Sequence, residues 1–483
     1  MLYDNKDKEL QRLMDILKGI LHNEAYIVGG AVRDILIGKS QAPIKDIDLA
    51  IDTDPYVIAK KFAKAINGTY VPLNKRFVTA RVVKGDYIFD ISALHNGSIS
   101  DDLKRRDFTI NALAIDLTNR DNSIIDIFGG IEDTSNHLIK MISRDNFIAD
   151  PVRLIRAFRF MASLEFKIEH KTIKAIKELK HLIKLPAIER ITAELKILLA
   201  SNNAFDTIRV MAENEFLFEL IPEIKLYDWT VNLKVFQDIE SIINNPNSLP
   251  YNLEMQKYFM SSQHIKIFLK FSTLIINTQN IDENLGVIEI LNRFKVSVKE
   301  ARYTNLIIEN ITYLYQVAFN RITALAASST PQRTEQYVYV VSSLPPCSTS
   351  ERNLVLFNLK EIVSFEKIDM VRFFMRADGH IYSIFVLCLS MFRVIKVIGA
   401  YDENMFMDFA KKILTYYNEE YLPLSKLPQL INGNDLSEIF GLIPSRQFRV
   451  ILTMIEELRL TGVISSKEEA IKIVTNTNLR PLP

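Results

Sequence analysis

The stretch Ile27-Val28-Gly29-Gly30-Ala31-Val32-Arg33-Asp34, followed by Lys45-Asp46-Ile47-Asp48-Leu49, decides how this chain is read. Residues 25–28 have the composition of a short buried strand, two glycines allow a sharp turn, and residues 31–37 have the apolar spacing of a helix. Amides at the start of that helix face whatever sits at Gly29 and Gly30, and a positive helix end suits an anion. Arg33, one turn in, adds a charged fork. A triphosphate is the natural guest of such a cradle.

Asp46 and Asp48 lie two apart in residues 45–51, which alternate polar and apolar as a half-buried strand does, so both carboxylates leave one face. Like charges that close raise each other's pKa unless a cation lies between them. Hard oxygen ligands of this kind suit Mg²⁺ shared with substrate phosphates. Alone, Asp-x-Asp reads better as a solvated edge strand; beside Gly-Gly-x-x-Arg-Asp it reads as a metal site.

Five ordered blocks carry a resemblance: Gly29-Gly30 with Arg33-Asp34; Asp46-x-Asp48; Arg105-Arg106-Asp107-Phe108-Thr109-Ile110-Asn111-Ala112; Asp150-Pro151-Val152-Arg153 through Phe160; and Glu189-Arg190-Ile191-x-x-Glu194-Leu195. Over about the first half of the chain they resemble the class II tRNA nucleotidyltransferases and bacterial poly(A) polymerases. The resemblance implies an α/β nucleotidyltransferase head of the DNA polymerase beta type, followed by an all-α neck, body and tail. It implies transfer of CMP or AMP from CTP or ATP to the 3′ end of tRNA, with two Mg²⁺ ions at Asp46 and Asp48. Asp90, closing the strand-like run Tyr87-Ile88-Phe89-Asp90-Ile91, is the residue nominated as a third acid of such a head; the same residue reads as easily as an acid at a strand end.

In relatives the block matching Arg105, Arg106 and Asp107 contacts the nucleotide's sugar and phosphates. Consecutive side chains diverge on a helix, so one guanidinium faces the nucleotide while the other pairs with Asp107 or a neck Glu, and Asn111, on the helical face of Asp107, is a candidate contact to ribose or phosphate. The resemblance makes Asp150 and Arg153 the readers of the incoming base without a template, a carboxylate accepting from an exocyclic amine and a guanidinium donating to ring nitrogen or carbonyl. Asp followed by Pro is equally an N-cap and first-turn pair. Arg156 and Arg159 continue the spacing from Arg153 along one face, and Arg190 and Glu194 stand at pair spacing. Two departures stand out. Ala149 replaces the Glu that many relatives carry before the matching Asp, and residues 91–103 are shorter than the loop usual in full CCA-adding relatives, as in enzymes adding only CC.

The 483 residues are 48% hydrophobic with a net charge of +1 and two cysteines. This length allows several compact domains, and so few cysteines exclude a disulfide framework or a cysteine zinc site, which fits a reducing cytoplasm. Residues 1–21 mix Lys and Arg with Asp and Glu as an amphipathic helix, not a signal peptide. The most apolar run, 381–392, stops at Arg393 and is too short to span a bilayer of about 30 Å, so no membrane partner is expected. Residues 151–200 hold eleven Lys and Arg against five Glu. Lys167, Lys171 and Lys174 follow helical spacing and are candidates for an RNA backbone, although each alone reads as a solvated surface residue. The sequence carries no signal for an oligomeric state.

Runs rich in Val, Ile, Tyr and Phe at 26–28, 47–51, 79–83, 87–91 and 124–127 predict the strands of a small α/β head. Beyond Phe128-Gly129-Gly130 the spacing is helical. The expected division is a head at 1–140, neck helices with the base-reading motif at 141–200, a helical body at 201–420 and a helical RNA-binding module at 421–483. Punctuation includes the polar tract 326–333 and Pro345-Pro346, the alternative to a joint near 420. The longer relatives often carry a metal-dependent HD-type region in the body. Here its place reads Phe268-Leu269-Lys270-Phe271, no His-Asp doublet occurs anywhere, and His264 and His380 read as surface or packed residues. A scaffold is expected there, not a second active site.

Gly38-Lys39-Ser40 imitates the end of a P-loop, but the glycine that would open it is replaced by Arg33. The competing activities are CCA, CC-only or A-only addition and poly(A) synthesis. A catalytically silent RNA-binding scaffold is the contrasting class, and the intact Asp46 and Asp48 speak against it.

Overall fold

A computed structural model describes residues 7–38, 44–74, 78–118, 123–226, 228–276, 285–311, 367–395 and 403–476. The polar tract 326–333, Pro345-Pro346, Cys347 and the pair Lys39-Ser40 lie outside them. The chain forms two compact units, Met1–Ile221 and Pro222–Pro483.

The first unit opens with α1 (Lys8–Ile20), started by Asp7, whose side chain accepts from the Leu10 amide. Then follow β1 (Ala25–Val28), α2 (Gly30–Leu36), β2 (Asp46–Ile51), α3 (Pro55–Ile66), β3 (Thr69–Asn74), β4 (Thr79–Lys84), β5 (Tyr87–Ala93), α4 (Ile99–Lys104), β6 (Leu113–Asp116) and β7 (Ile124–Asp126). α3 begins as capping chemistry requires, with Asp54 accepting from the Tyr56 amide and Pro55 in the first turn, and it ends on Asn67 in the left-handed region. The strands make one mixed sheet in the order β3-β4-β5-β2-β1-β6-β7. β1 runs antiparallel to β2 and β6, with Ile27 opposite Leu49 and Ile115. β2 runs parallel to β5.

Alternation sorts β2 into two faces. Ile47, Leu49 and Ile51 bury under α1 and α3, together with Leu13, Leu17 and Phe62. Ala50 joins Tyr26, Val28, Leu103 and Ala114 in a smaller cluster on the opposite face. Asp46 and Asp48 belong to that second face by the two-residue period and are exposed. The thick core therefore lies on one side of the sheet, and the acidic pair opens on the other.

The strands expected from composition all form, within a residue or two. β3 and β6 were not expected. β3 carries Pro72, which a sheet accepts only at an edge, and β3 is the edge strand, with a register shift between Pro72 and Asn74. β6 is buried on both faces, so its apolar run has no period to reveal it.

Beyond the sheet come α5 (Gly130–Ser135), β8 (Leu138–Ile139), α6 (Arg144–Ala149), α7 (Val152–Leu164), β9 (Lys167–Ile168), α8 (His170–Leu179), α9 (Ile188–Ala200) and α10 (Ala204–Glu213). β8 and β9 pair in parallel, a small exception to the helical reading. Lys167 consequently stands on a strand, whereas Lys171 and Lys174 stand on α8; all three are exposed.

The second unit is helical throughout its described residues, including Trp229–Asn244, Gln263–Ile275, Lys367–Ala377 and Ile381–Ile395. Ile381–Ile395 packs against both Trp229–Asn244 and Gln263–Ile275, and no described helix is long and apolar enough to cross a membrane. In the place of the HD-type ligands, Lys270 is buried and its Nζ stands 2.6 Å from Glu240 Oε1. His264 is exposed beside Glu300, and His380 Nδ1 lies 2.8 Å from the Tyr258 hydroxyl. Helices Gly433–Phe440, Arg446–Leu460 and Lys467–Asn476 share a small core of Leu436, Ile451, Ile455 and Val474. The first of them starts with a capping box between Asn432 and Asp435 and stops at Gly441 in the left-handed region.

Candidate functional site

β1 ends where Gly29 takes φ +78°, a value that L side chains rarely adopt. A second reason excludes a side chain there: a Cβ would sit 2.7 Å from Arg106 Nη1 and 3.6 Å from Asp48 Oδ2. The glycine turn thus leaves room for a guanidinium and a carboxylate over one stretch of backbone.

The parallel register sets Asp48 opposite Asp90, so Asp46, Asp48 and Asp90 project from the same face of adjoining strands. Asp48 reaches solvent but is ringed by protein. Its carboxyl pKa is raised by that partial burial, opposed by Arg106 and pushed up further by Asp90 and Asp46. Asp90 is held by Arg81, whose Nε and Nη2 donate to its two oxygens at 2.7 and 2.8 Å. The Arg81 guanidinium is held above its usual range, first by that hydrogen bond, against burial, with Asp90, Asp46 and Asp48 adding attraction. Among the described residues, no three His, Cys, Asp or Glu side chains form a ready-made ion site.

The block from Arg105 departs from the helical expectation. α4 stops at Lys104, and residues 109–111 form a separate 3-10 turn. Neither guanidinium pairs with Asp107 or a neck Glu. Both go to Asp102, which is 1% exposed: Oδ1 accepts from Arg105 Nε and Nη2 at 3.1 and 2.7 Å, and Oδ2 from Arg106 Nε and Nη2 at 3.3 and 3.1 Å. Asp102 draws little notice in the sequence, although it stands three and four residues before its partners, the spacing at which helical side chains meet. Arg81 left no such local signal, since its partner is set by strand register.

Arg33, Asp107 and Asn111 form a layer beneath this surface. Arg33 is buried; its Nε and Nη2 donate to Asp34 Oδ1 and its Nη1 to Asn111 Oδ1 at 2.7 Å. Asn111 Nδ2 donates to Asp107 Oδ1 at 3.0 Å, so the pairing expected on a helix face is made across a turn. Asp107 also accepts from the Phe108 amide and from Arg156 Nε. Burial raises the Asp107 carboxyl, but Arg156, Asn111 and the Phe108 amide outweigh it and hold the group below its usual range. Besides Asp34 and Asn111, the Arg33 guanidinium lies against Gly30, its Nη2 3.5 Å from where a Cβ would stand.

In the neck, Arg156 Nη1 and Arg159 Nε donate to the two oxygens of Glu194 at 3.1 and 3.0 Å. Arg33, Arg156 and Arg159 all lie over the Phe160 ring. The expected Arg190–Glu194 pair is replaced: Arg190 Nη2 donates to Asp150 Oδ2 at 2.8 Å. Asp150 is also not the side-chain cap of α7; Pro151 takes the cap position and no side chain caps it. Arg153 Nη1 donates to the Asn146 carbonyl at 3.1 Å. Burial and the nearby Arg156 and Arg105 lower the Arg153 guanidinium, against the pull of Asp107 and Asp150.

Residues 25–140 match the family described as poly A polymerase head domain, and residues 165–227 match the probable RNA and SrmB-binding site of polymerase A. The CCA-adding enzyme of Enterococcus faecalis is 30% identical over 319 residues, which is 61% of this chain and 74% of that enzyme. That of Ligilactobacillus salivarius is 38% identical over 218 residues, 42% of this chain and 52% of its own length, so the chain spans about half of that relative. Among solved structures, a CCA-adding enzyme in apo form I has a TM-score of 0.65 at 19% identity, covering 99% of this chain and 96% of that one. The Thermotoga maritima CCA-adding enzyme complexed with tRNA has a TM-score of 0.62 at 22% identity, with coverage of 99% and 96%. These two share the fold. With the ordered blocks placed around one acidic face of a nucleotidyltransferase sheet, and with this likeness to the Enterococcus enzyme, the chain belongs to the family of tRNA nucleotidyltransferases and bacterial poly(A) polymerases.

Proposed function

We propose that the protein adds CMP and AMP, taken from CTP and ATP, to the 3′ end of tRNA without a template, and so builds or repairs its CCA end. The observation that carries this reading is the pair Asp46 and Asp48 on one face of β2, opening beside the Gly29 turn, with Arg106 across the gap. CCA-adding relatives and solved neighbours in complex with tRNA, CTP and ATP support it.

The donor set fits divalent ions: two hard carboxylates share a face, and one has its pKa raised by burial and by like charges, a state that a cation relieves. Asp46 and Asp48 would hold two Mg²⁺, with Asp90 as a third acid, and bound there the ions would supply charge stabilisation for the attacking hydroxyl and the leaving pyrophosphate. Arg106, fixed by Asp102, brings a fork to the glycine turn where phosphates would lie, and the more exposed Arg105 adds a second cation. Arg33, Asp107, Asn111, Arg156 and Arg159 keep that surface in place from below. Asp150 and Arg153 read the base, exchanging Arg190 and the Asn146 carbonyl for its pairing edge. The head (1–140) and neck (141–200) carry the chemistry. Lys167, Lys171, Lys174, the body (201–420) and the closing module (421–483) hold RNA.

One observation favours a second reading, CC addition alone. β5 ends at Ala93 and α4 starts at Ile99, which leaves only a short connection where full CCA-adding relatives carry a longer loop. The deciding test supplies purified protein with Mg²⁺, labelled CTP or ATP, and tRNA transcripts ending before the tail, after C or after CC. Growth by C and then A establishes CCA addition, arrest after CC the second reading, A on a CC end alone A addition, and long A tails poly(A) synthesis. No elongation from any end would overturn all of these.

A further inference from the structure

Strand register assembles a fourth member of the acidic face. β4 sets Arg81 opposite Asp90, and β5 sets Asp90 opposite Asp48, so one guanidinium shares a side of the sheet with three carboxylates. Arg81 has little choice of direction: its neighbours Ala80 and Val82 bury on the other face, and its backbone lies between Val71 of β3 and Asp90 of β5. Its fork takes both oxygens of Asp90, which neutralises that carboxylate and fixes its plane. The pair is partly exposed, and such pairs are weak in water, so a divalent ion arriving with phosphates can displace the guanidinium by side-chain rotation alone.

Resting on the reading of Asp46 and Asp48 as metal ligands, we propose that Arg81 is an internal counter-cation of this face. It occupies Asp90 in the nucleotide-free protein and competes there with divalent ions. Metal affinity is then low until a nucleotide brings its own negative charge, which couples metal binding to substrate binding. The freed guanidinium remains beside the added phosphates as a positive group.

The test measures Mn²⁺ binding to the full chain without nucleotide, from the electron paramagnetic resonance signal of free Mn²⁺. Arg81→Ala should bind roughly tenfold tighter than the unaltered protein, the scale expected when a unit charge repelling a dication at short range in a water-like dielectric is removed. Arg81→Lys, which keeps the charge and loses the fork, should stay within about threefold of the unaltered protein. The gain from Arg81→Ala should vanish in an Asp90→Asn background. Arg81→Gln, nearer in size, repeats the measurement if the alanine variant does not fold. Equal Mn²⁺ affinity with and without Arg81, where Asp46→Ala abolishes binding, overturns this inference and leaves the metal reading intact. Mn²⁺ binding that ignores Asp46→Ala overturns the metal reading itself.

Discussion

At the scale of single residues, each charged group of the site is judged by what it faces. Asp46 is exposed on the open side of β2, so Asp46→Ala removes an oxygen donor without disturbing the core. Transfer should fall by about a thousandfold or more, the order expected from several kcal/mol of lost charge stabilisation, while a gel-shift assay should find tRNA binding nearly unchanged. Arg153→Ala should relax the choice of CTP and ATP over UTP and GTP by about tenfold to a hundredfold, with RNA affinity within about twofold. Misincorporation assays measure the first quantity and filter binding the second. Asp107 makes a separate statement about pH. Its folded pKa is depressed below the ordinary value of 3.8, so its stabilisation is complete above that value and is lost as pH falls through the folded pKa. Asp107→Asn should therefore cost about 3 kcal/mol in urea unfolding at neutral pH, and the gap to the unaltered protein should narrow only below about pH 4.

At the scale of elements, charge pairs decide how helices are joined. Glu194 on α9 holds Arg156 and Arg159 of α7, and Arg156 in turn holds Asp107 behind the sheet's acidic face, so the neck and the head share one chain of hydrogen bonds. In the second unit, Trp229–Asn244 and Gln263–Ile275 are joined by Glu240 and Lys270, the latter only 2% exposed. Burial lowers the Lys270 ammonium and Glu240 opposes that shift. Lys270→Met should destabilise the protein by about 3 kcal/mol in denaturant titration, because a buried carboxylate loses this cation. Adding Glu240→Leu should recover most of the loss. The helix periods and caps of these elements are legible in the sequence, whereas their partners are not. Arg190 and Glu194 stand at pair spacing on one helix, yet each is drawn to a partner elsewhere because Asp150 and the arginines of α7 come within reach only after the helices pack.

At the scale of the whole molecule, a net charge of +1 hides an uneven distribution, and long-range attraction to RNA follows the distribution. Lys167, Lys171 and Lys174 are exposed although they sit on two different elements. Replacing all three with alanine should weaken tRNA binding across sequences and reduce the slope of log affinity against log salt by about 2, while leaving the KM for CTP unchanged. Binding isotherms between low and moderate salt check this; an unchanged slope would remove these lysines from the RNA contact.

What the sequence determined by itself is whatever depends on neighbours along the chain. The two-residue period put Asp46 and Asp48 on one face, the glycines made the turn, and ordered blocks identified the family. Tertiary structure alone decided which charges meet at a distance: Arg33 with Asn111 across 78 residues, Arg81 with Asp90 through strand register, and Arg190 with Asp150 between packed helices. The physical reason is that periodicity is a property of local backbone geometry. An ion pair across strands or helices depends instead on register and packing, which no short stretch of sequence specifies.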